Sequence, residues 1–150
     1  MDIISAIVLF GFIIMIIFYL NNIKEIIIPT NKSSLEVITI IVSMGITLFI
    51  TFYYGTELSH YLIGVLGSSV LALGLFRRGI TKNGFQSMRG LNTGDWSKLE
   101  SVYVERQDEL KITYTGKSYS YDIHYYSNDY YDDIVNLLKK NVSPNILTIE

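Results

Sequence analysis

Two histidines and no cysteine limit the chemistry open to this chain. Disulfides, thiolate metal sites, lipoprotein anchoring and cysteine nucleophiles are excluded. His60 follows Glu57 by three residues at the start of an apolar run, a spacing that could begin a metal site. A metal needs a third and usually a fourth ligand. The segments on that side of the membrane, as assigned below, add only Asp2, so no metal site is expected. His124 lies in an alternating segment among Ser118, Ser120 and Asp122, which reads as the solvated face of a strand. Asp95 precedes Trp96 as a turn residue before a buried anchor. Asp129, Asp132 and Asp133 lack the glycine and the closing glutamate of a calcium loop; they read as acidic residues opening a helix. No phosphate loop, nucleotide fingerprint, serine elbow or zinc motif is present. No catalytic, cofactor or metal residue is assigned, and the expectation is a protein that is not an enzyme.

Tyrosine is the other chemically suggestive residue, with eight between Tyr103 and Tyr131. Alternation places Tyr119, Tyr121 and Tyr125 on one sheet face, and Tyr114 of the preceding strand joins them there. Two readings stand. The four rings complete a small core, or they form a partner-binding surface, since tyrosine is enriched at recognition sites.

These residues follow three apolar runs, Ile3–Leu20, Val37–Tyr54 and Leu58–Phe76. Each approaches the ~20 residues that a helix needs to cross ~30 Å of hydrocarbon. None has a charged residue in its interior. Residues 1–76 hold only Asp2, Lys24, Glu25, Lys32, Glu36 and Glu57, whereas ten of the 12 basic and ten of the 14 acidic residues follow. The first run has no basic residue before it and no small-residue cleavage site after it, so it reads as a retained span rather than a signal peptide. The polar half carries no net charge, which argues against nucleic acid as a partner.

Basic residues near span ends set orientation. Lys24 and Lys32 lie in the first loop, Arg77, Arg78, Lys82 and Arg89 follow the third span, and segment 55–61 has none. The expected protein is a multi-pass cell-membrane protein with its N-terminus outside, residues 21–36 inside, 55–61 outside and 77–150 in the cytoplasm. Ile26-Ile27-Ile28-Pro29 is expected to extend the first span or to lie along the headgroup layer. Tyr19, Tyr53, Tyr54 and Tyr61 suit an interfacial aromatic belt.

Within the spans, Gly64, Ser68 and Ala72 recur every four residues, as do Thr39, Ser43, Thr47 and Thr51. Small faces let helix backbones approach, and hydroxyls in hydrocarbon seek carbonyl or helix partners. The hydroxyl stripe is therefore expected to dock on the small face. Self-association through Gly64 is the alternative.

Beyond Arg78 the period changes to two. Asn83-Gly84 signals a hairpin. Val102 and Val104, then Leu110, Ile112 and Tyr114, then Tyr119, Tyr121, Ile123 and Tyr125 mark strands with one buried face. Ser127 or Asn128 opens a closing helix with Tyr130, Ile134, Leu137, Leu138 and Asn141 on or beside one face, whose aliphatic members should cover the sheet, with Lys139-Lys140 in its last turn and Pro144 beyond it. The tail 145–150 reads as loose. The expected architecture is a membrane α-helical hairpin bundle of three transmembrane helices (1–76) followed by a small α+β domain (77–150), about five antiparallel strands and a C-terminal helix.

Arg78-Gly79-Ile80-Thr81-Lys82-Asn83-Gly84 after the last span, Trp96-Ser-Lys-Leu-Glu-Ser-Val102, and the closing Leu137-Leu138-Lys139-Lys140 together resemble the bacterial pleckstrin-homology-like (PH-like) domains at the C-terminus of small membrane proteins of Gram-positive bacteria. The resemblance covers about 77–142 and implies a PH-like sheet with a C-terminal helix. It implies no phosphoinositide site, because the first hairpin offers only Lys82 and Arg89. The expected partners are the lipid bilayer and a membrane protein or a second copy of the chain. The expected function is presentation of a cytoplasmic binding module to a membrane-associated protein. Bacteriocin immunity, or an accessory transporter subunit using the Thr39–Thr51 stripe, are the alternatives.

Overall fold

The structure, a computed structural model, describes residues 2–87, 94–116 and 119–150, with the side chains of 119–121 left undefined. The chain divides into two compact units: residues 1–24 with 32–77, and residues 25–31 with 78–150.

The first unit holds α1 (Ile3–Glu25), α2 (Ser34–Tyr54) and α3 (Leu58–Phe76), all long and apolar enough to cross a membrane. α1 runs five residues beyond the expected span, because Asn21–Glu25 continue its last turns. α2 starts early because the Ser33 hydroxyl accepts the Glu36 N–H at 3.1 Å, which satisfies an otherwise open helix donor. Apolar side chains such as Ile7, Phe10, Ile17, Ile41 and Phe49 are exposed on α1 and α2. An exposed apolar surface of this extent suits hydrocarbon as its solvent.

α3 is the helix with the most buried positions, Ser59, Gly64, Ser68 and Val70. Gly64 abuts Thr51 of α2 so closely that a Cβ would lie 2.2 Å from the Thr51 hydroxyl. Thr39, Ser43, Thr47 and Thr51 each donate to the carbonyl four residues back, all at 2.8 Å. The stripe is thus satisfied within its own helix. α1 meets a different side of α3: a Cβ on Gly67 would lie 3.4 Å from the Phe12 ring and one on Gly74 3.9 Å from Tyr19. The Arg77 guanidinium sits 4.8 Å above the Tyr19 ring, a cation–π contact at the helix ends.

Among the described residues, the second unit forms two four-stranded sheets. The first has β1 (Ile26–Pro29), β2 (Gly79–Thr81), β3 (Gly84–Gln86) and β4 (Gly94–Asp95) in that order. The second is built from β5 (Leu99–Arg106), β6 (Leu110–Gly116), β7 (Tyr119–Tyr126) and β8 (Leu147–Ile149), ordered β7-β6-β5-β8. The closing helix α4 (Tyr131–Asn141) turns Ile134, Val135 and Leu138 inward. Phe85, Trp96, Val102, Val104, Ile112, Tyr114 and Leu138 share one core with Ile28 and Ile80. Gly84 is required where β3 meets β4, since a Cβ there would lie 1.7 Å from the Gly94 carbonyl oxygen.

Three expectations change. Ile26–Pro29 is neither span nor headgroup segment but a strand antiparallel to β2, with Ile28 opposite Ile80. Its backbone groups find ladder partners there, and the Ile28 side chain enters the core. The tail is not loose: Leu147–Ile149 pairs with β5, and does so in parallel, so the second sheet is mixed rather than antiparallel. The strands fall into two separate sheets, and the described residues form no closed barrel.

Two predictions follow from these contacts. Gly64→Ala should destabilise the helices by about 1–3 kcal/mol through overpacking against the stiff, β-branched Thr51. Gly67→Ala, with only ordinary contact to meet, should change stability by less than about 0.5 kcal/mol; denaturant titration in detergent measures both. Antiparallel partners lie about 4.5–5.5 Å apart at Cα, within disulfide reach. Since the chain has no cysteine of its own, an Ile28→Cys/Ile80→Cys variant should oxidise to an intramolecular disulfide, read as a mobility shift that reductant reverses.

Candidate functional site

β7 alternates between two faces, and the face with the more polar sequence is the buried one. Asp122, His124 and Tyr126 point inward, whereas Tyr125 is 43% exposed. The register sets Tyr126 opposite Leu110, His124 opposite Ile112 and Asp122 opposite Tyr114. The β6 face that carries Leu110, Ile112 and Tyr114 is wholly buried, so its β7 partners must be buried with it.

Burial of these polar groups is tolerable because they satisfy one another. His124 is 0% exposed. Its Nε2 lies 3.2 Å from Asp122 Oδ2 and its Nδ1 2.9 Å from the Tyr126 hydroxyl. The Tyr126 and Tyr114 hydroxyls are 3.5 Å apart. With Nε2–H donating to the carboxylate, Nδ1 is left to accept from Tyr126, whose oxygen can in turn accept from Tyr114. Burial pushes the Asp122 carboxyl up. Hydrogen bonds from His124 and Ser87, with the positive charge of Arg78 nearby, outweigh this, and its pKa lies below the ordinary value. Burial, then the neighbouring Tyr114, push the Tyr126 hydroxyl well above its ordinary value.

Aromatic rings enclose the imidazole. Phe85 of β3 stacks on Tyr114 with centroids 4.0 Å apart and planes 10° apart. Phe85 and Tyr114 both present an edge-to-face geometry to His124, at 5.5 and 5.3 Å. Trp96 lies beside both rings, and its Nε1–H donates to the Lys82 carbonyl at 3.2 Å. A carboxylate–imidazole pair invites a catalytic reading. Here both ring nitrogens are occupied by protein partners and no edge of the ring is exposed; contact with the first sheet comes through Phe85.

The expectation that His124 is solvated is therefore corrected: Asp122 and Tyr126 satisfy it in the interior. The four-tyrosine face is also corrected. Tyr114 is 0% exposed and shares the inner face with His124, whereas Tyr125 pairs with Lys111 on the outer face. Tyr119 and Tyr121 lie in β7, and their side chains fall outside the described residues. The spacing of Asp122, His124 and Tyr126 carried the missed signal: complementary donors and acceptors at every second residue, able to pair with one another.

The outer face of the second sheet is the candidate interaction surface. It displays Tyr103 and Glu105 from β5, Lys111 and Thr113 from β6, and Ile123 and Tyr125 from β7. Lys111 pairs with Glu105 at 2.8 Å, so the two charges cancel locally. Tyr103 donates to the Glu150 carboxylate, and that bond raises its pKa to about 12.

The remaining singled-out residues cap or pack. His60 Nδ1 accepts the N–H groups of Thr56 and Glu57 at 3.2 and 3.4 Å, and Glu57 accepts the Ser59 hydroxyl at 3.2 Å. Asp95 accepts the Ser97 N–H at 3.0 Å. Asp129 accepts the Ser127 hydroxyl at 2.8 Å. Gly64 and Ser68 are buried and Ala72 is half-buried; Thr47 and Thr51 are half-buried, as is Ser43, while Thr39 is exposed. Among the described residues, no group of three or more His, Cys, Asp or Glu could hold a metal ion.

The chain matches no family model, no curated protein and no solved structure.

The polar interior predicts a pH signature. The folded Asp122 carboxyl is more acidic than the unfolded one, so its contribution is complete above the unfolded value and is lost as pH falls through the folded value. Asp122→Asn should cost about 1–3 kcal/mol near neutrality. The gap to the parent protein should narrow as pH falls through the folded value, where the parent carboxyl is also protonated. Denaturation of both proteins across that range checks this. Tyr125→Ala should stay within about 0.5 kcal/mol of the parent.

Proposed function

We propose that this chain is a multi-pass membrane protein that presents a small cytoplasmic β-rich module to a membrane-protein partner. The observation that carries the reading is the pairing of β1 with β2. β1 lies between α1 and α2, and β2 follows α3. Strands of one sheet occupy one side of a bilayer, so the pairing supports three full crossings, with the first loop and residues 78–150 on one face. Lys24, Lys32, Arg77, Arg78 and Lys82 all fall on that face, which favours the cytoplasm. The N-terminus and the Gly55–Glu57 turn are then external.

Two packed sheets and a helix near the C-terminus support the PH-like reading. The strand contributed from between two spans and the β8 strand after the helix are departures from the resemblance. The outer face around Tyr125 offers aromatic and hydroxyl groups without net charge, which suits recognition of a protein rather than of a phosphate. Anchoring raises the effective concentration of such a face near other membrane proteins.

Single cysteines in this cysteine-free chain test the topology. In intact cells, Thr56→Cys should react with an impermeant maleimide and Lys98→Cys only after permeabilisation; the reverse pattern overturns the orientation. A photo-crosslinking residue at position 125 should capture a discrete membrane protein from native membranes. The same residue at exposed Asn136 should not, and equal capture from both positions would remove the outer face as the partner surface.

A further inference from the structure

The first loop does more than connect two helices. β1 begins at Ile26, the residue after the last one of α1, with no linker between. On the other strand, only Arg77 and Arg78 separate α3 from β2. The two paired strands are therefore direct continuations of two separate helices. Beyond Pro29 the segment clips both sheets. Thr30 donates its N–H to the Arg78 carbonyl at 3.2 Å. Asn31 donates its N–H to the Tyr125 carbonyl at 2.7 Å and its side-chain amide to Glu109 at 2.9 Å. Arg78 donates to the Ile123 carbonyl at 3.2 Å. The edge carbonyls of β7 at 123 and 125 are thus held by the first loop and by Arg78, the residue before β2. Those carbonyls belong to the residues that display the Ile123 and Tyr125 side chains.

We propose that residues 26–31 are a coupling strand, by which displacement of α1 relative to α3 alters the β1–β2 ladder and, through Asn31 and Arg78, the edge of β7. The physical reason is how little slack there is: none between α1 and β1, and two residues between α3 and β2. A helix that shifts along its axis moves its last residue with it, and a strand bonded to that residue without a linker must shear or release its partner. The register of this ladder already shifts between Ile26 and Ile28, whereas at Gly79 the strands approach so closely that a Cβ would lie 2.5 Å from the Ile28 carbonyl oxygen. The device regulates the same outer face assigned above and rests on that reading for its membrane, though not for its partner.

The test uses the full chain in nanodiscs of short-chain and of long-chain phosphatidylcholine, because bilayer thickness changes helix tilt and depth at modest cost. Amide exchange at residues 79–81 and 123–126 should differ by roughly fivefold between the two bilayers, consistent with energies of local opening. A Gly-Ser-Gly-Ser insertion between Glu25 and Ile26 should abolish that difference. Formation of the Ile28→Cys/Ile80→Cys disulfide in the same variant would show that β1 still pairs. Equal exchange in both bilayers, or an unchanged difference in the insertion variant, overturns the proposal. Loss of the disulfide in the insertion variant also overturns it, since the strand would then need its fixed attachment merely to form. Extraction of the protein from vesicles by carbonate would instead overturn the membrane reading itself, so the two failures are distinguishable.

Discussion

Backbone hydrogen bonds between Ile26–Pro29 and Gly79–Thr81 are the constraint on which the molecule depends. They join chain segments that lie before and after two apolar helices. A strand edge with unpaired N–H and C=O groups invites association with other chains. Here β1 covers the edge of β2, Thr30 reaches the carbonyl of Arg78, and Ile28 and Ile80 add apolar burial to the ladder. Each such side chain contributes about 1.5–3 kcal/mol when fully withdrawn from water, a large share of the stability of a small unit.

A second interaction joins the sheets in a less common way. Beside its aliphatic side chains, the interior holds a carboxylate, an imidazole and two phenols inside an aromatic enclosure. An unpaired buried polar group is costly, and a fully paired set specifies one packing. Asp122 finds His124, His124 finds Tyr126, and Tyr126 approaches Tyr114, while Phe85 from the other sheet stacks on Tyr114. A one-residue slip of β7 would expose all three polar partners and bury Ile123 and Tyr125 instead. The polar set therefore fixes register as well as contributing to stability.

This explains what could be read from the residues alone. The three helices were legible because an uncharged run of hydrocarbon length has few other fates. β5 and β6 were legible because Val102 and Val104, then Leu110 and Ile112, alternate cleanly with polar residues. β7 was legible as a strand but not in its phase. Hydropathy ranks Tyr and Ile above Asp and His, and only partner geometry reverses that order. β1 was hidden because Ile26-Ile27-Ile28 continues an apolar helix, and nothing local says that the period changes at Glu25. β8 was hidden because three residues pair in parallel with a strand more than forty positions earlier, a relation that no window of sequence contains. The candidate surface was half legible: Tyr125 is exposed, Tyr114 is core, and both fates follow from the β6–β7 register.

The same constraint bears on what counts as a domain. A cut after the last span leaves residues 77–150, which look like a complete soluble unit by composition. That fragment lacks β1, so the edge of β2 is bare and Ile80 loses its partner Ile28. It also lacks Asn31, so the Tyr125 carbonyl loses its donor. A fragment of about 74 residues has little stability to spare. The residues that complete it are held between α1 and α2, and their supply depends on the helices being in place. The β-rich unit is thus assembled from two stretches of chain that flank α2 and α3.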